Sequence, residues 1–458
     1  MDKSYKKKIE LASLVAVIFA IVAGGPYGLE EAVSSIGPGL SIALLFIVPF
    51  LWSLPISFIT AEIASAFPQK GGYITWIKHS FGPFCSFQTG WLSWIRNIVE
   101  TALYPVLFVD YLRFFFPHIN TYERLLICVG IVALFTLLNL LGIKVVGFSS
   151  LVLTFIVLIP FAVLVIAAFM KARTFFPFET FAIPGKPWIN CMGVGLMIMI
   201  WNYNGWEDFS TCIMEVRNPA KTYPRAIFIN IPLITFIYAV TVYACLCATN
   251  NWQSWVSGQF PIIGREIAGP WLGILLVVAI LFGLVNQLST ILLYTSRIPY
   301  TLAFHRFLPK FFAYRIKKNR VPHVSLLICS ALVCCFCVFP FAGLIAIDMF
   351  LYGFMLIFVI MTFLKLRKTR PDKERLIKVP FGNAGAIIAS LLPFTLLGLA
   401  LYNTGMKHFD IFFYIVLTGM LIWFTVSKRL LKDKNNILPQ DDIPECIGNI
   451  HKEIENRE

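Results

Sequence analysis

Long runs of apolar residues recur along the chain, separated by short segments that carry most of its charge. A helix that crosses a bilayer needs about 17–25 mostly apolar residues, and about twelve stretches reach that length. These stretches are 11–34, 39–66, 83–115, 124–141, 148–170, 189–212, 226–248, 271–296, 323–340, 344–364, 384–403 and 410–427. The pattern therefore predicts an all-α membrane protein with about 12 transmembrane helices.

The composition excludes an ordinary soluble domain. Hydrophobic residues make up 58% and charged residues 14% of the 458 positions, whereas soluble domains average about 45–50% and 25%. The first apolar stretch follows four lysines, as in a signal peptide. However, the stretch is too long and lacks a small-residue cleavage site, so we interpret it as the first span.

The distribution of Lys and Arg predicts the orientation in the membrane. If the N-terminus lies inside, the cytoplasmic segments contain 30 Lys and Arg residues and the outer loops contain 5. We therefore expect a multi-pass protein of the plasma or inner membrane with both termini in the cytoplasm. The net charge of +14 then reflects topology, and nucleic-acid binding is not expected.

The predicted spans divide into two groups of five, followed by a pair. The first group occupies 11–170 and the second 189–364, between a cytoplasmic N-tail at 1–10 and a helix pair at 384–427. An odd number of spans places the second group in the membrane with the opposite orientation, as in the inverted repeats of many transporters. The polar segment 428–458 is interpreted as a cytoplasmic C-tail.

The first span contains a predicted break. Gly24, Gly25, Pro26, Tyr27 and Gly28 place three glycines and a proline within five residues. Glycine destabilises a helix interior and proline removes a backbone donor. In hydrocarbon, the freed backbone groups must be satisfied by protein, water or a ligand. We regard these residues as candidate substrate-binding positions, with a simple proline kink as the alternative.

The sixth span contains a second break, at the equivalent place in the second group. Trp201, Asn202, Asn204 and Trp206 precede the acidic Glu207 in an otherwise apolar stretch. Asn-Gly dipeptides favour turns, and polar side chains at membrane depth are costly unless they have a role. These residues are candidate substrate ligands. The alternative is that the asparagines only join packed helices.

Two opposed broken helices expose complementary backbone groups. Freed N–H groups suit a carboxylate, and freed C=O groups suit a cation or an amine. The pairing therefore favours an amino acid or an amine as substrate. The tryptophans and tyrosines of these stretches could add cation–π contacts to an ammonium group.

The third span carries a polar stripe within apolar sequence. Arg96, Glu100 and Tyr104 are spaced by four, and Tyr111 continues the stripe, so these side chains share one helical face. Arg96 and Glu100 could form an internal ion pair, contact substrate, or do both. Together with Glu30, they are the candidates for proton or charge coupling.

Other acids also lie within or near the spans. They are Glu31, Glu62, Asp110 and Asp348. Carboxylates outnumber cations within the spans, which favours a positively charged substrate group or a proton-carrying acid. Glu62 lies near the cytoplasmic end of the second span, where it could cap or pair. All six histidines lie in loops or near span ends, so any proton relay is expected to use a carboxylate.

Several segments together resemble the amino acid–polyamine–organocation superfamily of permeases. They are similar to its L-type amino acid transporter-like and polyamine uptake carriers. The segments are Gly24–Glu31, Thr60–Tyr73, Ala102–Leu112, Trp201–Glu207, Glu215–Arg225 and Ser296–Pro309. The resemblance covers roughly the first 70% of the chain.

The resemblance implies a five-plus-five inverted repeat that works by alternating access. It implies a substrate site between spans one, three, six, eight and ten. The positions carried over are Gly24, Gly25, Pro26, Tyr27, Gly28, Glu100, Tyr104, Asn202, Asn204, Trp206 and Glu207. Trp201 joins this set as an aromatic neighbour.

Three features depart from the proton-coupled and polyamine-type members of this superfamily. Val157 replaces a lysine found in several proton-coupled relatives, and Arg96 adds a cation where polyamine-type members are neutral. The eighth span is neutral at 285–289. These departures make an amino acid, or exchange of an amino acid for an amine, comparable to a polyamine.

The leading hypothesis is a secondary active carrier of amino acids or amino-acid-derived amines, by proton symport or exchange. The alternative is a dedicated importer of putrescine or spermidine, and a more distant one is a nutrient receptor. We expect no enzymatic activity, cofactor or metal. The expected partners are a small-molecule substrate, protons and the lipid bilayer. The sequence leaves open the substrate, the direction of transport and the oligomeric state.

Overall fold

A computed structural model describes residues 10–22, 25–67, 72–141, 150–175, 180–206, 216–316, 321–405 and 408–432. These described residues are 80% helical and contain no strand. The all-α class predicted from the apolar pattern is therefore confirmed.

Helix bounds follow the predicted spans closely, and the first span is divided in two. The first nine helices are α1 Leu11–Val22, α2 Leu29–Ile36, α3 Pro38–Val48, α4 Leu54–Ala66, α5 Gly72–Leu112, α6 Thr121–Leu140, α7 Ser150–Met170, α8 Val194–Asn202 and α9 Pro219–Ala248. The others are α10 Phe260–Ala268, α11 Pro270–Thr295, α12 Arg297–Phe304, α13 His323–Phe336, α14 Phe341–Thr369, α15 Gly382–Asn403, α16 Phe409–Ile422 and α17 Lys428–Lys432.

Seven of the described helical stretches are long and apolar enough to cross a membrane. They are Pro38–Ala66, Thr121–Leu140, Lys221–Ala248, Pro270–Phe304, Phe341–Thr369, Gly382–Asn403 and Phe409–Leu431. This supports a multi-pass membrane protein. The count of 12 crossings and the inverted repeat stay predictions.

Helix α5 lies at the centre of the bundle. It packs against α14 and α11 most extensively, and also against α6 and α13. Because these helices surround α5, the polar stripe of the third span faces protein on several sides, and an unpaired charge there is costly. A π-helical turn at Pro49–Ser53 joins α3 to α4, and the backbone of α5 is non-helical at Gly82.

Two buried carboxylates mark the opposite ends of the bundle. Glu30 lies in the first turn of α2 and accepts a hydrogen bond from Tyr111 near the end of α5. Glu62 lies near the end of α4, where the carbonyl of Phe67 accepts a hydrogen bond from Trp76 near the start of α5. Tyr111 lies 29 residues beyond the non-helical Gly82 of α5, which at 1.5 Å per residue is about 40 Å along that helix. We refer to these regions as the Glu30 end and the Glu62 end.

Candidate substrate site at two helix breaks

The first break lies between Val22 and Leu29. Its chain turns sharply, because the backbone N–H of Tyr27 donates to the carbonyl of Gly25 at 2.8 Å. Gly28 has φ 73°, a left-handed conformation that favours glycine. A Cβ at Gly28 would also lie 2.6 Å from the ring of Phe341, so the position admits no larger residue. The predicted break is therefore present, while Gly24 lies outside the described residues.

The tyrosine that follows Pro26 fills the space beside this break. The Tyr27 ring is buried and packs edge-to-face on Tyr111, with ring centroids 6.3 Å apart. Its hydroxyl points toward α11, because a Cβ at Gly283 would lie 2.6 Å from Tyr27 Oη. Within the described part of the chain, this buried hydroxyl has no hydrogen-bond partner. A polar group therefore lies unsatisfied beside the break.

The second break begins where α8 ends at Asn202. Tyr203 leaves the helical conformation, and Gly205 has φ 98°. The indole Nε1 of Trp206 donates to the carbonyl of Tyr203 at 2.8 Å. These contacts hold the chain in a turn, as the Asn-Gly dipeptide predicts. Glu207, the predicted ammonium partner, lies outside the described residues.

Asn202 joins the two breaks directly. Its side-chain Nδ2 donates to the carbonyl of Tyr27 at 3.2 Å and to the carbonyl of Ile198 at 2.9 Å. One amide thus satisfies a carbonyl freed by the first break and another near the end of α8. The predicted pairing of the two broken helices is therefore present in the fold.

Asn204 is held differently and keeps one polar group available. Its Oδ1 accepts a hydrogen bond of 2.7 Å from the indole Nε1 of Trp52 on the turn between α3 and α4. The amide nitrogen of Asn204 is buried without a hydrogen-bond partner among the residues that the structure describes. A buried donor without a partner costs about 1–3 kcal/mol, so the position suits a ligand acceptor.

An aromatic pair flanks the second break on the side of α5. Trp201 is half-buried, with its ring 6.5 Å from that of Tyr104 and 5.7 Å from that of Phe341 on α14. The stripe residue Tyr104 therefore meets the sixth span, as its assignment to the site requires. These rings could contact the apolar part of a substrate or an ammonium group.

A cluster of three charges includes two residues of the same stripe, which lie one turn and two turns before Tyr104 on α5, and a third on α14. Arg96 Nη2 lies 3.3 Å from Glu100 Oε2, which confirms the predicted ion pair. Arg96 Nε also lies 3.4 Å from Asp348 Oδ1 on α14. The guanidinium carbon is 4.6 Å from the centroid of the Tyr352 ring. Asp348 was expected only as a buried acid, and its contact with Arg96 is a new finding.

The three charges differ in exposure. The side chains of Arg96 and Asp348 are 6% and 0% exposed, whereas that of Glu100 is 19% exposed. Glu100 is therefore the carboxylate of this cluster that a ligand can reach. Tyr352 also packs on Trp52, with ring centroids 5.6 Å apart. Since Trp52 binds Asn204, contacts run from the charged cluster to the second break.

Glu30 lies away from this cluster, at its own end of the bundle. Its Oε1 accepts three hydrogen bonds: 2.8 Å from the Tyr111 hydroxyl, 3.0 Å from the N–H of Gly258 and 3.2 Å from the N–H of Gln259. Its Oε2 is buried and has no hydrogen-bond partner among the described residues. Sequence reasoning placed Glu30 among the coupling candidates but gave no sign of these donors.

The loop above Glu30 is also tied to α5. Ser257 Oγ donates to Asp110 Oδ2 at 2.6 Å, and Asp110 pairs with Arg113 at 3.4 Å. The segment at 257–259 therefore covers the Glu30 end through contacts with α2 and α5. In this structure the end is closed, because Glu30 is fully buried.

Glu62 closes the opposite end with charged partners. It lies 3.4 Å from Arg367 Nη1 and 3.2 Å from Arg375 Nε, and it accepts a 2.7 Å bond from the N–H of Val379. The predicted pairing of Glu62 is confirmed. Its partners lie on α14 and the loop that follows, which fixes that loop against α4.

A narrow apolar cavity lies between the charged cluster and the Glu62 end. It has a volume of about 10 Å³ and is lined in part by Thr60, Trp76, Tyr352 and Met355. That volume suits about one water molecule. The described residues are therefore closely packed on this side of the site as well.

Comparison with known proteins adds independent evidence. A family model described as amino acid permease matches residues 9–424. The polyamine transporter RMV1 of Arabidopsis thaliana is 31% identical over 91% of this chain and 84% of its own length. A polyamine transporter of rice, PUT1, is 31% identical over 96% of the chain and 82% of its length. A probable polyamine transporter of Arabidopsis thaliana is 34% identical over 95% and 91%.

Proposed function

This chain belongs to the amino acid permease family and is a membrane transporter for amino acids or polyamines, and we propose that it is a secondary carrier of small organic amines. The substrate is a polyamine or an amino acid whose ammonium group binds at Glu100. Transport proceeds by alternating access, driven by proton coupling or by exchange.

One observation carries this proposal: an accessible carboxylate lies beside two joined helix breaks. Asn202 links the breaks, and Tyr104 on the Glu100 face contacts Trp201 next to Asn202. Broken helices at a repeat interface are the usual substrate site of such carriers. A carboxylate at membrane depth is costly unless a cation pairs with it. Arg96 is one cation shared by two carboxylates, Glu100 and Asp348, and an amine supplies a second.

We propose the finer architecture on the same grounds. Twelve crossings in a five-plus-five inverted repeat would place the breaks in the first helix of each half, at 11–36 and from Val194 onward. The excess of Lys and Arg in one set of loops favours cytoplasmic termini and a location in the plasma or inner membrane. By this assignment the Glu30 end faces outward and the Glu62 end faces the cytoplasm.

Glu30 is the proposed coupling carboxylate. Its three hydrogen bonds all reach Oε1 from neutral donors, so a proton can bind at Oε2 without breaking them. The other titratable groups nearby are Tyr27, Tyr111, Cys245 and the neighbouring Glu31, and the adjoining loop contact adds Asp110 paired with Arg113. No Arg or Lys among the described residues forms an ion pair with Glu30. Proton binding would then neutralise the carboxylate that holds the loop at 257–259.

Histidine is a weaker candidate for this role. His305 follows α12, and burial, with a smaller contribution from Lys78, lowers its pKa to about 4. It is therefore neutral at physiological pH and does not titrate where transporters work. This supports a carboxylate as the coupling group.

A dedicated polyamine importer is the second candidate, because the relatives reported above are named polyamine transporters. A counterflow panel on purified protein in proteoliposomes separates the candidates. The panel contains basic, acidic and large neutral amino acids, putrescine and spermidine. Counterflow of basic or large neutral amino acids would support the broader proposal, and counterflow of putrescine and spermidine alone would favour the dedicated polyamine importer. Counterflow of acidic amino acids alone would contradict both.

The same assay tests Glu100. We expect Glu100→Gln to reduce counterflow of the preferred substrate at least tenfold, whereas Glu123→Gln, at an exposed acid, should leave counterflow unchanged. Wild-type counterflow in Glu100→Gln would remove Glu100 from contact with the ammonium. Absence of counterflow with every substrate would favour a receptor over a carrier.

A further inference from the structure

Arg96 occupies an unusual place for an arginine. It projects from the central helix α5 between two carboxylates on different helices, Glu100 on α5 and Asp348 on α14. The ring of Tyr352, one turn beyond Asp348, lies against the guanidinium. This side chain is therefore enclosed by two anions and an aromatic face, rather than extended toward water.

These surroundings are those of a cation-binding site. Carboxylates and an aromatic face are the groups that proteins use to bind ammonium ions. A charge at membrane depth needs such partners. The two carboxylates are separated by less than about 10 Å, because each contacts the same rigid guanidinium. An alkyl diamine of moderate length could span that separation.

The charges of the cluster do not cancel. Within the described part of the chain, Glu100 and Asp348 contribute two negative charges to this cluster and Arg96 contributes one positive charge, so a further cation would balance it. The fully buried Asp348 lies against Arg96, and the more exposed Glu100 faces the site. Without Arg96, the same two carboxylates could neutralise two ammonium groups.

We propose that Arg96 is a resident cation that occupies an ammonium subsite between Glu100 and Asp348 and thereby sets the charge of the preferred substrate. This inference rests on the proposed function and specifies the selectivity of the same site. Neutralising Arg96 opens the subsite and moves the preference to a substrate with one more ammonium group. Neutralising Asp348 as well removes the subsite and restores the original preference.

The test is counterflow of an amine series by reconstituted protein. The series is butylamine, putrescine, spermidine and spermine, which carry one, two, three and four positive charges. The measured quantity is the ratio of two transport rates: that of the amine with one more charge, divided by that of the amine the wild type prefers. We expect this ratio to be at least tenfold higher in Arg96→Gln than in the wild type. Arg96→Lys, which retains the charge, and the double variant Arg96→Gln/Asp348→Asn should keep the wild-type ratio.

An unchanged ratio in Arg96→Gln would overturn the proposal, as would an equal shift in the double variant. If Arg96→Gln does not fold alone, it is purified with putrescine, and thermal unfolding is compared in putrescine and butylamine. Selective stabilisation by putrescine supports the proposal, and equal stability in both amines contradicts it. A wild type without counterflow of any amine or amino acid contradicts the proposed function, and the unfolding comparison still decides the role of Arg96.

Discussion

Glu30 and Glu62 close opposite ends of the same bundle with the same functional group, but their partners differ. Both carboxylates are buried. Glu30 accepts hydrogen bonds from a tyrosine hydroxyl and two backbone N–H groups. Glu62 pairs with two arginines and a backbone N–H. One carboxylate is therefore held by neutral donors and the other by cations.

This difference separates a group that can change its charge from one that cannot easily do so. Protonating Glu62 would leave two guanidinium groups without their anion, which is costly when the groups are partly buried. Protonating Glu30 leaves its three bonds to Oε1 in place. The Glu62 end is thus held by charge pairs that oppose protonation, whereas Glu30 is the carboxylate to which we assign proton coupling in the proposed function.

The largest effect is expected from Glu62→Gln. The change leaves Arg367 and Arg375 beside a neutral amide, and breaking such a buried pair costs about 3–5 kcal/mol. We expect a marked decrease in the thermal unfolding temperature of the purified protein. The matched control is Glu374→Gln, an exposed acid on the same loop, which should unfold as the wild type does. Wild-type stability of Glu62→Gln would show that this end is not held by its charge pairs.

Glu30→Gln tests the other side of the comparison. The amide oxygen can accept the same three hydrogen bonds, so stability should change by less than about 1 kcal/mol. We expect uptake driven by a pH gradient to fall at least tenfold, while counterflow without a gradient persists. The matched control is Glu123→Gln in the exposed first turn of α6, which should take up substrate as the wild type does. A normal pH dependence in Glu30→Gln would exclude Glu30 as the coupling group.

Sequence alone predicts local features of this molecule well. The glycines and proline of the first span predict its break, and the spacing of Arg96 and Glu100 predicts their pair, because both depend on neighbours within a turn or two. Asp348 meets Arg96 only because α14 packs on α5, so the sequence reveals a buried acid but not its partner.

The partners of Glu30 are harder still to predict from the sequence. Two of its three donors are backbone N–H groups at Gly258 and Gln259, and every residue except proline carries such a group. Their position depends on how a loop more than 200 residues away folds back over α2. A carboxylate held by neutral donors therefore looks the same in sequence as one held by arginines.

The smallest effect is expected from Tyr111→Phe, which removes one of the three donors to Glu30. A single hydrogen bond to a charged group is worth about 1.5–3 kcal/mol, and less when other donors remain. The loss should loosen the loop that Glu30 holds, because the N–H groups of Gly258 and Gln259 share the same acceptor oxygen. We expect their hydrogen exchange, measured by mass spectrometry on the 251–260 segment, to accelerate about tenfold, which corresponds to about 1.4 kcal/mol. Tyr238→Phe, a buried tyrosine on α9, should leave that exchange unchanged. If both variants exchange alike, the loop is held by contacts other than Glu30, and the contrast between the two ends loses its structural basis.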